Sequence, residues 1–266
     1  MLIRNYVHGN KRVNAQLALL RDAVAPSVER VLVIGCGSGE SAHYIAARIA
    51  KHAKIVGVDI SPEAVRIARK LFPHRRIEYR CENAVAGPIE NNWDVIVLPD
   101  VYEHIPAGDR NKLHANLKVM LAERGKVLLT LPSPGHQTAL HEQGWGLQIV
   151  DETVTLNDLL ILADDLDAPL VHYSWISAFQ TNDYVHAVIE READRVGLIT
   201  PADRILLKRQ KKLPNQFIRL CLNQLARPGK IWRQRRVMRL LGSTCLRHAL
   251  APPENLSPPD QKEKLE

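Results

Sequence analysis

No two of the four cysteines, Cys36, Cys81, Cys221 and Cys245, lie close together, and no C-x-x-C pair occurs. That absence argues against a zinc ribbon and a disulfide framework, and makes a reducing compartment the expectation. Hydrophobic runs are short as well: nowhere do about 18 apolar residues follow one another, the length a membrane-crossing helix requires. The opening stretch MLIRNYVHGNKRVNAQ has neither the apolar core nor the cleavage site of a secretory leader, so the expected location is cytoplasmic. Acids are the third scarcity, and it is local. Between residues 200 and 250 thirteen Lys and Arg face a single acid, Asp203, so the net charge of +7 belongs to the C-terminal segment and the remainder is nearly neutral.

What is present is organised around residues 30 to 40, RVLVIGCGSGE. Arg30 to Ile34 is a β-branched and apolar run without alternation, as expected of a strand buried on both faces of a parallel sheet. It ends in Gly35, Gly37 and Gly39, and Glu40 then opens an amphipathic run, Ser41 to Ala50, with Ala42, Ile45, Ala46 and Ile49 on one face. Strand, glycine turn and helix together form a nucleotide-binding arrangement, because glycine lets a ligand approach the backbone without meeting a Cβ. The next buried strand, KIVGVD, ends in Asp59, about 20 residues beyond the glycines, where a carboxylate can accept two hydrogen bonds from ribose hydroxyls.

The glycine spacing separates two ligand classes. Dinucleotide enzymes favour G-x-G-x-x-G, whereas here Glu40 holds the last place and the third glycine comes one residue early. G-x-G-x-G within VLVIGCGSG resembles motif I of the class I S-adenosylmethionine-dependent methyltransferases, of the type acting on small molecules or glycans. DISPEAVRIARK, with Ser61 as N-cap and Pro62 at the first helical position, is similar to the segment after the family's second strand, and LAERGKVLLTLPSP to the segment around its fifth. The resemblance covers roughly residues 30 to 191 and implies S-adenosyl-L-methionine as cofactor. Gly35, Cys36, Gly37 and Gly39 would surround its methionine part, Asp59 and Ile60 its ribose side, Asn83 and Ala84 its adenine, and Pro99 and Asp100 the donor methyl. Asn83 stands where the family commonly has an acid; its side-chain oxygen can still accept, through a weaker, neutral bond. The family also uses N-terminal segments to cover the cofactor, which makes Tyr6 and His8 candidates, although a surface helix over 11–24 (Val13, Leu17, Leu20, Val24) is the plainer expectation.

Four strand–helix units in a row predict a doubly wound sheet. Gly125 is expected to close the helix carrying Leu113, Leu117, Met120 and Leu121 before the strand KVLLTL. Residues 132 to 154 break periodicity and are expected to form a binding loop. PLVHYSWIS and DYVHAVIE, joined by a short polar turn, predict an antiparallel pair. The fold class is therefore α/β: a doubly wound, Rossmann-like seven-stranded sheet with a terminal antiparallel hairpin, plus a C-terminal helical extension. Residues 1–192 would form the methyltransferase domain, 193–250 a basic extension of three amphipathic helices, and 251–266 a disordered, Pro-rich tail.

The family implies in-line methyl transfer, in which alignment is the protein's main contribution. For a hydroxyl acceptor a general base helps, and His104, in the loop after the fourth strand, is the candidate, with Glu103 beside it to orient the ring or hold substrate. Tyr102, His136 and Trp145 are candidate acceptor contacts, and His141 ranks behind them. Glu103-His104 also matches half of the E-x-x-E-H metal arrangement of the small-RNA 2′-O-methyltransferases; Asp100 in place of the first Glu, Ile105 and the lack of a second histidine pair argue against metal. The basic helices could be a solvated appendage, could lie on an anionic membrane through residues 200–241 at its inner face, or could hold nucleic-acid phosphates, for which no RNA-binding motif speaks. The alternatives are an RNA methyltransferase or RNA-associated cofactor binder and, opposed by glycine spacing and hairpin, a nicotinamide oxidoreductase.

Overall fold

The computed structural model describes residues 2–144, 150–191 and 229–250. A seven-stranded sheet in the order β3-β2-β1-β4-β5-β7-β6 is its centre. The strands are β1 (Arg30–Ile34), β2 (Lys54–Asp59), β3 (Ile77–Cys81), β4 (Trp93–Pro99), β5 (Leu121–Pro132), β6 (Leu170–Ile176) and β7 (Tyr184–Glu190). The first five are parallel, and β7 lies antiparallel between β5 and β6. This is the doubly wound sheet with a terminal hairpin that the sequence predicts.

The unpatterned strand runs reflect burial on both faces. Val31 and Val33 of β1 join one core, with α2 (Lys11–Ala23), α3 (Glu40–Tyr44) and α4 (Pro62–Leu71); Leu32 and Ile34 join the other, with α5 (Ala107–Met120) and α7 (Leu156–Asp165). α3 continues into a π-helical turn, Ile45–Ile49, which keeps Ile45, Ala46 and Ile49 on the buried face. α4 starts as its sequence implies: Ser61 Oγ accepts from the Ala64 N–H (3.2 Å), and Pro62 follows.

Three features depart from the sequence-based expectation. Leu2–His8 forms a short helix, α1, and its Tyr6 packs edge-on against Phe72 at the far end of α4, with ring centroids 5.3 Å apart. Tyr6 is therefore a core residue and His8 an exposed one. Gly125 does not end a helix: α5 stops at Met120, and β5 runs through Gly125 because Leu121 already pairs with Trp93. A Cβ at Gly125 would lie 2.8 Å from the Trp93 carbonyl oxygen, so close strand packing rather than helix capping accounts for the glycine. The 132–154 stretch is not a loop throughout, since α6 spans Pro134–Gln143, capped by Ser133 Oγ accepting from the His136 N–H.

Of the basic extension, α8 (Lys230–Leu241) and α9 (Ser243–Leu250) are described, and they pack on α1, with α8 also on α4. Val237 and Leu246 join the core there, and Arg233 Nε donates to the Val7 carbonyl (3.0 Å). The other two expected basic helices and the 251–266 tail lie outside the described residues.

Candidate cofactor and acceptor site

All three motif glycines have positive φ, at 68°, 53° and 88° for Gly35, Gly37 and Gly39. At Gly35 the constraint is also steric, because a Cβ would sit 2.2 Å from Val101 Cγ2. Gly39, as the left-handed N-cap of α3, turns the chain so that the helix N-terminus opens toward the strand tips. Asp59 fixes the loop from the neighbouring strand: its Oδ2 accepts from the Gly37 N–H (2.9 Å) and its Oδ1 from the Ser61 N–H (2.9 Å). Each carboxylate oxygen keeps further lone pairs for a ligand. Cys36 is buried beneath this turn, its N–H donating to the Val58 carbonyl, and burial, then Asp59, pushes its thiol up to about 12. It is inert packing under the loop.

Beside Asp59, Ile60 stands 74% exposed, an apolar side chain that would otherwise be buried. Asn83 closes an Asx turn, its Oδ1 accepting from the Val85 N–H (2.9 Å), while Ala84 is buried, its carbonyl receiving Asn116 Nδ2 (2.8 Å). Gly35, Gly37, Asp59, Ile60 and Asn83 thus occupy the ends of β1 and β2 and the turn after β3, the edge where open α/β sheets bind ligands.

Past Pro99 the chain turns sharply, with Asp100 held at φ 52°, a conformation an ordinary side chain adopts only under constraint. The Asp100 N–H donates to the Thr130 carbonyl (2.8 Å), and Oδ2 lies 3.2 Å from Arg12 Nε, which reaches it from α2. Burial, against the opposing pull of Arg12 and His104, raises the Asp100 carboxyl to about 6. Arg12 also approaches the hydroxyl of Tyr184, whose ring packs near His136, with centroids 6.3 Å apart.

A 3-10 turn, Tyr102–His104, then fans successive side chains about a third of a revolution apart. Tyr102 faces the core: it is 1% exposed, and its hydroxyl lies 2.8 Å from His114 Nε2, with Arg110 over its ring. It does not line an acceptor site, which corrects the sequence expectation. Glu103 is 2% exposed, and burial, then Asp100, holds its carboxyl well above the usual range. His104 is a quarter exposed; its Nδ1 lies 2.9 Å from the Val150 carbonyl, its Nε2 3.8 Å from Glu103 Oε1. A carbonyl can only accept, so Nδ1 carries a hydrogen, and the lone pair of the neutral form of the ring is at Nε2.

The segment Val150–Glu152 is tied over this turn by Glu152 N–H donation to the Glu103 carbonyl (2.8 Å) and by Gln137 Nε2 donation to Asp151 Oδ1 (2.6 Å). His136 lies in the first turn of α6 with its ring beside Tyr184, His141 is exposed on the last turn of α6, and Trp145 lies outside the described residues. Arg12, Gln137, Asp151 and Tyr184 were not singled out in the sequence. Only the Ser133-Pro134 pair, the same helix-start signal as Ser61-Pro62, could have announced the helix that delivers Gln137.

Residues 31–125 match a family described as a methyltransferase domain. Trans-aconitate 2-methyltransferase of Variovorax paradoxus is 29% identical over 123 residues, and the match spans 46% of each chain, so this chain covers about half the length of that curated relative. Among solved structures, the N-methyltransferase NodS of Bradyrhizobium japonicum, in complex with S-adenosyl-L-homocysteine, superposes with a TM-score of 0.51 at 17% identity, covering 68% of this chain and 86% of NodS. An S-adenosylmethionine-dependent methyltransferase of Mesorhizobium loti gives 0.56 at 13% identity over 70% of this chain and all of that one. Magnesium protoporphyrin IX methyltransferase of Synechocystis, also with bound S-adenosylhomocysteine, gives 0.53 at 19% identity over 68% and 81%. Motif, strand order and domain match agree: residues 31–125 match a methyltransferase domain, and the sheet has the Rossmann-like order of the S-adenosylmethionine-dependent methyltransferases on which it superposes, which supports S-adenosyl-L-methionine as cofactor.

Proposed function

We propose that this protein methylates a hydroxyl oxygen of a small-molecule or glycan acceptor, with His104 as general base. The observation that carries the reading is the hydrogen bond that commits His104 Nδ1 to the Val150 carbonyl and so makes Nε2 the nitrogen that takes the proton. The cofactor supplies an electrophilic methyl on a sulfonium. The chain holds the two ends of that molecule: Asp59 takes the ribose hydroxyls, the apolar Ile60 side chain covers one adenine face, and Asn83 with Ala84 meets the adenine edge. The Arg12–Asp100 pair fits the zwitterionic methionine end, guanidinium to carboxylate and carboxylate to ammonium, each replacing the partner it has in the free protein. Calorimetry with S-adenosylhomocysteine tests this. Wild type binds, and Arg12→Leu weakens binding about tenfold or more, the expected loss of one charge-assisted contact worth about 1.5–3 kcal/mol. An unchanged affinity removes Arg12 from the site.

A second reading concerns recruitment. α8 turns Ile231, Trp232 and Met238 outward at 67%, 45% and 47% exposure, beside Arg235 and Arg239, a combination suited to an anionic membrane surface. No helix among the described residues is long and apolar enough to cross a membrane. The expected result is flotation with phosphatidylserine-containing vesicles that falls with added salt and is reduced by the double change I231S/W232S; equal recovery with neutral vesicles would count against it.

A further inference from the structure

Four of the buried polar atoms without a hydrogen-bond partner belong to one series of side chains, and one of them, Arg12 Nε, is a donor already 3.2 Å from Asp100. Asp100 Oδ1, Glu103 Oε2 and Gln137 Oε1 have no hydrogen-bond partner, and they lie along one connected series of side chains. Arg12 pairs with Asp100, and Asp100 faces Glu103. His104 lies between Glu103 and Asp151, at 3.8 and 3.5 Å, and Asp151 binds Gln137. The orientation of the Gln137 amide follows from chemistry: a carboxylate only accepts, so the NH2 must face Asp151 and Oε1 must point away from it. Gln137 Oε1 is therefore an acceptor, as are the Asp100 and Glu103 oxygens in their ionised forms. Glu103 and Gln137 are 2% and 1% exposed, too deep for bulk water to serve them, and a buried acceptor without a donor is a standing cost to the fold. The methionine ammonium accounts for Asp100 in the bound protein, which leaves Glu103 and Gln137, an acid and a neutral amide from different elements, to be met by something else. Among the described residues no three His, Cys, Asp or Glu side chains converge as metal ligands would.

We infer, on the methyltransferase reading above, that the acceptor lies against Glu103, His104 and Gln137 and is a donor-rich, uncharged or cationic alcohol or amine with at least two O–H or N–H groups, not a carboxylate. One neutral O–H or N–H group, which keeps a lone pair, is the nucleophile. As its bond to the methyl carbon forms, the carbon–sulfur bond breaks with the electron pair left on a now neutral sulfur, and the proton passes to His104 Nε2. The second group donates to Glu103 Oε2 or Gln137 Oε1. A carboxylate acceptor would instead supply no donor to Gln137 Oε1 and would bring negative charge beside Asp151 and, wherever they are ionised, Asp100 and Glu103 in a poorly solvated site.

Glu103→Gln is the test, because it keeps shape while replacing an acceptor oxygen with a donor. Wild type and variant, each with a labelled methyl donor, are given the dialysable small-molecule fraction of a bacterial extract and, separately, trans-aconitate; labelled products are sorted on an anion exchanger. The expected product passes the exchanger unretained, its formation falls at least tenfold in Glu103→Gln, and affinity for S-adenosylhomocysteine stays within about twofold. A product retained as an anion, methylation of trans-aconitate, or activity lost to EDTA would overturn the inference. If wild type does not bind S-adenosylhomocysteine, the cofactor reading is what fails.

Thermal unfolding without acceptor gives a readout independent of turnover. Groups facing Glu103 are Arg12 from α2, Asp100 and His104 from the β4 turn, Asp151 from the segment over it and Tyr184 from β7. A carboxyl raised in the folded state supports the fold fully below its unfolded value and loses that support as pH rises through its folded value. Glu103→Gln removes this loss. Its melting temperature should match wild type near pH 4, about the unfolded carboxyl value, and exceed it by about 2 °C or more above neutrality. A variant melting lower than wild type at every pH would make Glu103 a structural residue and overturn the assignment.

Discussion

Asp59→Ala should weaken S-adenosylhomocysteine binding at least about 100-fold, the largest loss from any single side chain at the cofactor edge. Two effects combine. The carboxylate would accept both ribose hydroxyls, and charge-assisted hydrogen bonds contribute about 1.5–3 kcal/mol each, so two account for roughly two to four decades of affinity. The same oxygens already accept from the Gly37 and Ser61 N–H groups, at 2.9 Å each, so removing them also frees the glycine turn and the first turn of α4. Asp59→Asn keeps one acceptor oxygen and should fall between, because its NH2 would oppose one of the two backbone N–H donors. Calorimetry on each variant, with far-ultraviolet circular dichroism to show an intact sheet, checks the order wild type, Asn, Ala. If Ala binds like wild type, the ribose is held elsewhere.

The parts of this site that were legible in the sequence are those whose residues sit within one strand–turn–helix unit. Gly35, Gly37 and Gly39 must adopt positive φ, and the Ser61-Pro62 start must cap α4, so the local chain carries its own instructions. Buried strands were equally plain, since a run such as VLVI has no polar face to expose. Gly125 misled because a glycine after an amphipathic run is read as a helix stop, whereas this one allows β5 to pass the Trp93 carbonyl. Tyr102 misled for another reason: adjacency to His104 suggests a shared direction, but a 3-10 turn separates neighbours by about a third of a revolution and sends the ring inward to His114.

The acidic wall was out of reach. Arg12, Asp100, Gln137 and Tyr184 come from α2, the β4 turn, α6 and β7, and only the closed sheet brings them together. Nothing in the composition near Arg12 distinguishes it from any basic residue on a surface helix; its role depends on Asp100 being turned back by its left-handed backbone. Long-range polar pairing of this kind leaves no periodic trace, which is why the cofactor half of the site could be anticipated and the acceptor half could be only partly so.

His104→Ala should lower the rate of methyl transfer about 100-fold or more while leaving S-adenosylhomocysteine affinity within about twofold. General-base assistance typically contributes two to four decades, because an aliphatic hydroxyl becomes acidic only as its oxygen attacks. His104 suits the task because the Val150 carbonyl fixes the proton on Nδ1 and aims Nε2 toward the side occupied by Glu103. Val150, Glu103 and Asp151, against which the ring lies, are not the residues assigned to ribose or adenine, so binding and chemistry should separate in the variant. Single-turnover transfer from a labelled donor to the small-molecule fraction reads the chemical step alone. His104→Gln discriminates further: its side-chain amide can hold an acceptor hydroxyl in place but cannot take its proton, so it should recover acceptor binding and not rate. Recovery of both would reduce His104 to a positioning residue, and an unimpaired His104→Ala would mean that the acceptor reaches the methyl group already able to attack.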